Sequence, residues 1–277
     1  MMDILISLHK GYGLGDSVQM SSVLRHVKKY RPEWRVDYRN EHNVGRGLVD
    51  RVLTYQEPLP DKRYTGEIQI CLYDTWANWH DRPNTRVSSA LHEFFGMEWD
   101  PECGQYQIDV SIESRTRVRS ILADRDNVVA VHYQGDSSKA KKDLTDRQAY
   151  SIYDCIHKLG CEPLLMGRHN PWGGDAEMNC AIISQCRAFV GIDSGPSKCA
   201  SATDTPTLVT WTGHHPAPFH DPAPNTTHLV PTGYHGLEPV CNEPNVIKWF
   251  EDHHEVWQYE NNDPVPEIKR WLTRLLG

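Results

Sequence analysis

The chain lacks any long uninterrupted hydrophobic segment. Its apolar runs, such as Val128–Val131 and Leu164–Met166, are far shorter than the roughly 18 residues that cross a bilayer. The segment Met1–Leu8 has no basic flank and no apolar core of sufficient length, so we expect no secretory signal. These absences predict a cytoplasmic protein and leave open a peripheral association with a membrane.

Paired cysteine motifs are also missing. None of the eight cysteines belongs to a Cys-x-x-Cys pair, and several fall inside predicted helices, which favours reduced core thiols over disulfides. Fifteen histidines invite a metal hypothesis, chiefly at His214, His215, His220 and Asp221. That group lies in a proline-rich loop without the spacing of a known zinc motif, so we expect no metal.

The net charge of −8 is unevenly distributed. A negative chain is a poor match for non-specific binding to nucleic acid. Residues 1–66 nevertheless contain eleven Lys and Arg against eight Asp and Glu, so this region is positive and the remainder is strongly negative. The positive region is either a solvated helix surface or a surface that meets an anionic partner.

What the sequence does contain is two successive series of strands and helices. The predicted strands are Asp3–His9, Arg35–Tyr38, Arg51–Tyr55, Glu67–Leu72, Asn127–Tyr133, Glu162–Met166, Ala188–Ile192, Thr207–Trp211 and His228–Pro231. The predicted helices are Val18–Tyr30, Arg86–Phe95, Ser111–Ala123, Thr145–Leu159, Ala176–Cys186, Asn245–Tyr259 and Pro266–Leu275.

This alternation predicts an α/β protein with two Rossmann-like domains that face each other across a cleft. We place the first domain at residues 1–124 and the second at residues 125–262. For the final helical segment, residues 263–277, we expect packing back on the first domain.

A glycine-rich loop joins the first strand to the first helix. It contains Gly11, Gly13 and Gly15, and Asp16 follows where the N-cap of the helix belongs. Asp16 replaces the third glycine of the dinucleotide fingerprint, and a carboxylate there would repel a pyrophosphate, which disfavours a nicotinamide-dependent oxidoreductase. Asp16 is therefore either a simple helix cap or a general base towards an acceptor hydroxyl.

Two further loops follow predicted strands of the second series. Residues 135–142 include Ser137 and Ser138, which can donate hydrogen bonds, and three lysines that include Lys141. Hydroxyls and ammonium groups at this position suit a diphosphate, although a lysine-rich loop can also be merely solvated. Gly167 follows the strand that ends at Met166, where a binding loop and a plain loop remain equal alternatives.

The most informative segment is the turn after the strand Ala188–Ile192. Asp193, Ser194, Gly195 and Pro196 form the turn, and Lys198 lies on the short helix that follows. A hydroxyl and a glycine let the backbone approach an anion, and the Asp193 carboxylate can accept hydrogen bonds from sugar hydroxyls. The turn predicts a site for a phosphate ester beside a diol; the alternative is an ordinary turn with a serine cap.

Three separated motifs together resemble the family 9 glycosyltransferases, the heptosyltransferase-like enzymes. The first is Gly13-Leu-Gly-Asp16 with the helix that runs to Pro32. The second is the strand and lysine loop at Val128–Lys142, and the third is the stretch from Cys186 to Gly213. The motifs occur in the family's order and cover most of the chain, which makes the resemblance far more specific than any single motif.

The resemblance implies a GT-B fold and the inverting transfer of a sugar from a nucleotide-diphosphate donor, without an obligatory metal and with no other cofactor. It implies that Asp16 is the base and that Gly13 and Gly15 form the acceptor-side loop. It implies that the donor is held mainly by the second domain, through Lys141, Asp193, Ser194, Gly195 and Pro196. The loops and the helix described above add Ser137, Ser138, Gly167 and Lys198 as candidate donor-binding residues. An anionic acceptor, either a phosphorylated glycolipid or a modified nucleic acid, would match the positive region.

The sequence also departs from the family pattern. Lys198 stands where the family often has a histidine, and Lys141-Lys142 is not followed by the usual Trp and Pro. A lysine there adds a full positive charge beside the leaving group, which is a physical reason to expect activity to survive. The alternative is a nucleotide-sugar-binding protein that has lost catalysis.

Overall fold

The structure is a computed structural model that describes residues 1–72, 85–123, 125–135, 139–167, 175–240 and 243–277. Its strands are Met2–Leu8 (β1), Trp34–Arg39 (β2), Arg51–Leu53 (β3), Gly66–Ile70 (β4), Val128–His132 (β5), Glu162–Leu165 (β6), Ala188–Ile192 (β7), Thr207–Thr210 (β8), Thr226–Pro231 (β9) and Glu255–Tyr259 (β10).

The α-helices in the described ranges are Leu14–Tyr30 (α1), Arg86–Phe95 (α2), Pro101–Gly104 (α3), Ile112–Ile121 (α4), Lys139–Lys142 (α5), Asp146–Lys158 (α6), Ala176–Ile183 (α7), Gly195–Ser201 (α8), Glu243–His253 (α9) and Val265–Leu276 (α10). A 3₁₀ turn at Thr232–Tyr234 follows β9. In the part of the chain that the structure describes, no helix combines the length and apolar character needed to span a bilayer.

The strands form two parallel sheets, as two Rossmann-like domains require. The first sheet has the order β3-β2-β1-β4 and the second has the order β10-β9-β8-β7-β5-β6. All strand pairs in both sheets are parallel. Strands β5 and β7 are buried along their whole length, which is why their sequences are continuous apolar runs rather than alternating ones.

The strand order creates one topological switch point in each sheet. In the first sheet the chain moves outward from β1 to β3 and then returns to place β4 on the other side of β1. In the second sheet β6 and β7 lie on opposite sides of β5 in the same way. Ligands of open α/β sheets bind at the carboxyl ends of the strands beside such a point, so the loops after β1, β5 and β7 are the candidate positions.

The two domains meet where α1 and α8 begin. A Cβ atom placed on Gly15 would lie only 3.5 Å from the Cα of Gly195 and from the Cγ of Lys198, and one on Gly195 would lie 2.8 Å from the Cβ of Leu14. The apolar core is also continuous here, because Val18 of α1 packs in one buried cluster with residues of α7 and α8. The N-terminal ends of the two helices are therefore in direct backbone contact.

Two helices pack on a different domain from the one that the sequence predicts. Helix α4 was assigned to the first domain, but it packs on α7 of the second and buries Val118 there. The final helix α10 was expected on the first domain, but Ile268 and Leu272 lie in a core cluster with residues of β5, β7 and α6. Amphipathic helices bury their apolar face on whichever sheet they reach, and periodicity alone does not name that sheet.

The stretch Asn245–Tyr259 was predicted as one helix, but the structure divides it into α9 and the edge strand β10. The segment Glu255–Tyr259 is rich in β-branched and aromatic residues and pairs in parallel with β9. No glycine or proline separates the two elements, so the usual punctuation between a helix and a strand is missing.

The contact between α1 and α8 predicts a steric penalty at Gly195. In the variant Gly195→Ala the new methyl group would overlap Leu14, so we expect the free energy of unfolding to fall by about 1–3 kcal/mol. Gly66→Ala is the control, because its methyl group would meet only the flexible end of Ile4 at 3.3 Å. Urea unfolding monitored by tryptophan fluorescence measures both variants; equal stabilities would contradict the close contact.

Candidate functional site

Asp16 projects from the first turn of α1. The helix begins at Leu14 with Gly13 as its N-cap, so Asp16 is the third helical residue and not the N-cap that the sequence predicted. One carboxylate oxygen, Oδ2, accepts a hydrogen bond from the backbone N–H of Gly13 at 3.1 Å. The other, Oδ1, lies 2.7 Å from Nη1 of Arg86. Asp16 therefore stabilises the start of its helix and still presents a charged group at the domain boundary.

Asp193 lies at the carboxyl end of β7, on the second domain's side of that boundary. Its carboxylate is buried and lies 2.7 Å from the Lys142 ammonium and 3.7 Å from that of Lys198. Burial alone would raise the pKa of Asp193, but the charges of Lys198 and Lys142 outweigh it and lower the pKa below its usual value. Asp193 therefore lies between two ammonium groups at the switch point.

Lys198 is the unusual member of this group because its ammonium is buried. Only 3% of the residue is exposed, and Nζ lies 5.2 Å from the centre of the Trp211 ring. Among the residues that the structure describes, Nζ has no hydrogen-bond acceptor. Burial lowers the pKa of Lys198 to about 8, with the negative charges of Asp193, Asp221 and Asp16 opposing the shift. A buried cation with unused donors is suited to an anionic ligand.

Ser194 and Gly167 are brought together by a residue that the sequence reading did not single out. The hydroxyl of Ser194 lies 3.0 Å from Nδ1 of His132, which ends β5, and 3.1 Å from the backbone carbonyl of Ile192. A Cβ atom on Gly167 would lie 2.8 Å from the His132 ring, and its φ of +104° also favours glycine. His132 therefore links the loops after β5, β6 and β7.

Lys141, the predicted phosphate-binding lysine, and its neighbour Lys142 have different partners in the structure. The Lys141 ammonium lies 2.5 Å from Oε1 of Glu238, whose other oxygen lies 2.7 Å from Nδ1 of His214. Lys142, the next residue, is the one that reaches Asp193. Both lysines were visible in the sequence, but only the turn of α5 decides which side chain faces the switch point.

Four other predicted residues lie at the starts of α8 and α1. Gly195 is the first residue of α8 and Pro196 is the second, and Gly13 and Gly15 flank the start of α1. Ser137 and Ser138, which the sequence predicts as hydrogen-bond donors, lie outside the described residues. Arg86 and His132 were missed; both are buried polar residues at the end of an element, a position that sequence patterns do not distinguish from a core position.

Three buried histidines outside this group lie close enough together to be candidate ligands of a metal ion. The ring nitrogens of His220, His228 and His254 lie within 4.8 Å of one another. Trp211 Nε1–H donates to Nδ1 of His228, so the proton of neutral His228 is on Nε2, which donates to Nδ1 of His254. With both nitrogens of His228 engaged, this arrangement fits a hydrogen-bonded core chain and does not fit a metal site.

The structure is similar to solved family 9 glycosyltransferases over nearly its whole length. The family 9 protein from Veillonella parvula DSM 2008 has a TM-score of 0.72 and 12% identity, with 99% of this chain and 97% of that chain covered. The ADP-heptose lipopolysaccharide heptosyltransferase II from E. coli has a TM-score of 0.66 and 13% identity, covering 91% of this chain and 97% of that chain.

A third similar structure is a dodecameric iron-containing heptosyltransferase from enterotoxigenic E. coli, solved in complex with ADP-D-beta-D-heptose. Its TM-score is 0.60 at 16% identity, and the match covers 98% of this chain and 73% of that chain. No protein-family profile matches the sequence, and no curated protein is significantly similar to it. The chain therefore has the GT-B fold of family 9, as the three motifs predicted, and this similarity establishes the fold.

The buried histidines predict a loss of stability in acid. Burial lowers the pKa of His215 to about 4 and that of His254 to about 3, and holds the pKa values of His220 and His228 well below the usual range. Below about pH 6.5 the unfolded chain takes up protons that the folded chain excludes. The free energy of unfolding should therefore fall by up to about 1.4 kcal/mol per pH unit for each of these histidines.

Urea unfolding between about pH 6.5 and pH 5 tests this dependence. Asp221 acts in the opposite direction, because burial raises its pKa to about 6, but it is one group against four histidines. In His254→Gln the slope of unfolding free energy against pH should be smaller, whereas the exposed control His157→Gln should keep the wild-type slope. A stability that does not change over this range would show that the imidazoles are not buried in neutral form.

Proposed function

We propose that the protein is an inverting glycosyltransferase that moves a sugar from a nucleoside-diphosphate donor to an acceptor hydroxyl without a metal ion. The observation that carries the proposal is the buried Lys198 ammonium, which has unused donors at the β5/β7 switch point and lies against the helix that presents Asp16. Three similar structures belong to family 9 glycosyltransferases, and one of them contains ADP-D-beta-D-heptose.

The donor diphosphate would bind on the second domain. Lys142 and Lys198 supply positive charge, the hydroxyl of Ser194 supplies a hydrogen bond, and Gly195 lets the backbone approach the phosphate oxygens. Ser137, Ser138 and Gly167 are proposed to contribute from the neighbouring loops, and Lys141 once it leaves Glu238. Asp193 holds the two ammonium groups in place and is available to sugar hydroxyls.

The reaction would proceed in one displacement. The acceptor oxygen attacks the anomeric carbon from the face opposite the diphosphate while Asp16 removes the hydroxyl proton. The bond between the anomeric carbon and the diphosphate oxygen breaks, and the nucleoside diphosphate leaves with the electron pair. Attack from the opposite face inverts the anomeric configuration. Lys142 and Lys198 offset the charge that develops on the leaving group, which is the role a divalent cation has in other transferases.

The acceptor is proposed to be anionic. Residues 1–66 carry more basic than acidic side chains, and this part of the chain forms the domain that presents Asp16. A phosphorylated glycolipid would place the enzyme at a membrane surface, whereas a modified nucleic acid would not. Turnover with each class, in the presence of the same donor, distinguishes them.

Asp16→Asn should separate binding from chemistry. The amide keeps the shape of the side chain but cannot accept the proton, so turnover should fall by about 10²- to 10⁴-fold. The dissociation constant for ADP-heptose should stay within about twofold, because the donor is bound by the other domain. Calorimetry measures binding, and release of ADP from ADP-heptose with either acceptor measures turnover.

If wild-type protein binds ADP-heptose but never releases ADP with either acceptor, the protein is a nucleotide-sugar-binding protein and the enzymatic proposal is wrong. If Asp16→Asn turns over at the wild-type rate, another group is the base. A thermal-shift screen of nucleoside diphosphates identifies the nucleobase before these assays are run.

Donor affinity should also depend on pH through Lys198. Burial lowers the pKa of Lys198 to about 8, so the side chain loses its charge as the pH rises through that value. The affinity for ADP should change little around pH 7, where the ammonium is still charged, and fall by up to about tenfold per pH unit above pH 8. Lys198→Met should bind ADP about 10- to 100-fold more weakly at pH 7 and should lack this alkaline decrease. The exposed Lys248→Met, on α9, is the matched control; an alkaline decrease that persists in Lys198→Met would assign it to a different group.

A further inference from the structure

Arg86 connects the proposed base to the opposite domain. It is the first residue of α2, only 2% of it is exposed, and Nη1 of its guanidinium lies 2.7 Å from Oδ1 of Asp16. The guanidinium carbon lies 4.5 Å from the centre of the Phe219 ring, and the Arg86 backbone N–H donates to the Pro218 carbonyl at 3.1 Å. Phe219 and Pro218 belong to the second domain, so the side chain that holds Asp16 is itself held across the domain boundary.

The residues around Phe219 are fastened to the first domain at several points. We call Pro218–Asp221 the docking segment. Gln19 Nε2 donates to the Phe219 carbonyl at 2.9 Å, and the Asp221 backbone N–H donates to the Tyr106 hydroxyl at 2.8 Å. Thr85 immediately precedes Arg86, and its hydroxyl donates to the buried carboxyl group of Asp221 at 2.5 Å.

These contacts make the orientation of Asp16 depend on the docked arrangement. Its Oδ2 is held by the Gly13 N–H of its own loop, and its Oδ1 by Arg86. The planar guanidinium can meet both Asp16 and the face of Phe219, a combination that a lysine ammonium does not reproduce. If the docking segment moved away, Arg86 would lose its contacts with the Phe219 ring and the Pro218 carbonyl, and its guanidinium would be held less firmly against Oδ1 of Asp16.

We infer that Arg86 is a positioning residue that aligns the Asp16 carboxylate for proton removal only while the docking segment is seated on the first domain. This inference rests on the proposed function and deepens it. Proton removal by Asp16 would then require assembly of both halves of the site, which limits hydrolysis of the donor when the domains are apart.

Graded variants test the inference. Arg86→Lys keeps the charge but loses the planar contact, and Phe219→Leu keeps an apolar side chain but loses the ring. We expect each to lower kcat by about 10- to 100-fold, the range of one misplaced catalytic group, with the dissociation constant for ADP-heptose within about twofold. In Arg86→Ala, millimolar guanidinium chloride should restore part of the lost turnover, because the ion can occupy the vacated space beside Asp16.

The controls separate positioning from general destabilisation. Glu177→Gln breaks another ion pair between the domains, with Arg46 at 3.3 Å, and should leave kcat unchanged. Guanidinium should not restore turnover in Asp16→Asn. A purely structural role for Arg86 would lower the fraction of folded protein and the number of donor sites, without rescue by guanidinium and without a selective loss of kcat.

The possible results are distinct. Wild-type kcat in both Arg86→Lys and Phe219→Leu overturns the inference, and so does a loss of turnover that is matched by an equal loss of donor binding. If wild-type protein itself releases no ADP, the proposed function fails first. A selective loss of kcat in both variants, with rescue of Arg86→Ala, supports the coupling of the base to domain docking.

Discussion

The close contact between two helix N-termini, at Gly15 and Gly195, is the constraint on which the rest of the structure depends. A Cβ atom on Gly195 would overlap Leu14 at 2.8 Å, and one on Gly15 would lie in van der Waals contact with the Cα of Gly195 at 3.5 Å, so the backbones of the two domains pack closely here. That approach places Asp16 on one side of the boundary and Lys198 on the other. The proposed base and the proposed phosphate-binding cation are therefore set opposite each other by backbone packing.

Two ammonium groups and one carboxylate meet on the second domain's side of this boundary, and the ammonium of Lys198 is buried. The single carboxylate of Asp193 lies between the ammonium groups of Lys142 and Lys198, and burial lowers the pKa of Lys198. An anion between the domains would supply the missing partner. Arg86 also links the two domains by direct contact, because its guanidinium lies against Phe219 of the second domain and holds the carboxylate of Asp16 on the first.

His220, His228 and His254 form a cluster of hydrogen-bonded rings in the core, although the number of histidines in the chain first suggests a metal site. His228 receives a hydrogen bond from Trp211 and donates one to His254, which leaves no lone pair on its ring for a metal. Clusters of imidazoles in a core are stable only when neutral and hydrogen-bonded, and the lowered pKa values reflect that requirement. The short distances between potential metal ligands are thus weaker evidence for a metal site than the tautomers, set by hydrogen bonds, are against one.

The sequence by itself determined the α/β class, the two Rossmann-like units and the turn Asp193–Lys198, because strand runs, glycine loops and helix periodicity are local signals. It also determined which residue types were available for the site. Only the tertiary structure decided that α4 and α10 pack on the second domain, that Lys142 rather than Lys141 reaches Asp193, and that Arg86 holds Asp16. Those facts depend on which distant surfaces meet, and contacts between residues such as Lys142 and Asp193, or Asp16 and Arg86, which are far apart in the chain, leave no period or spacing in the sequence.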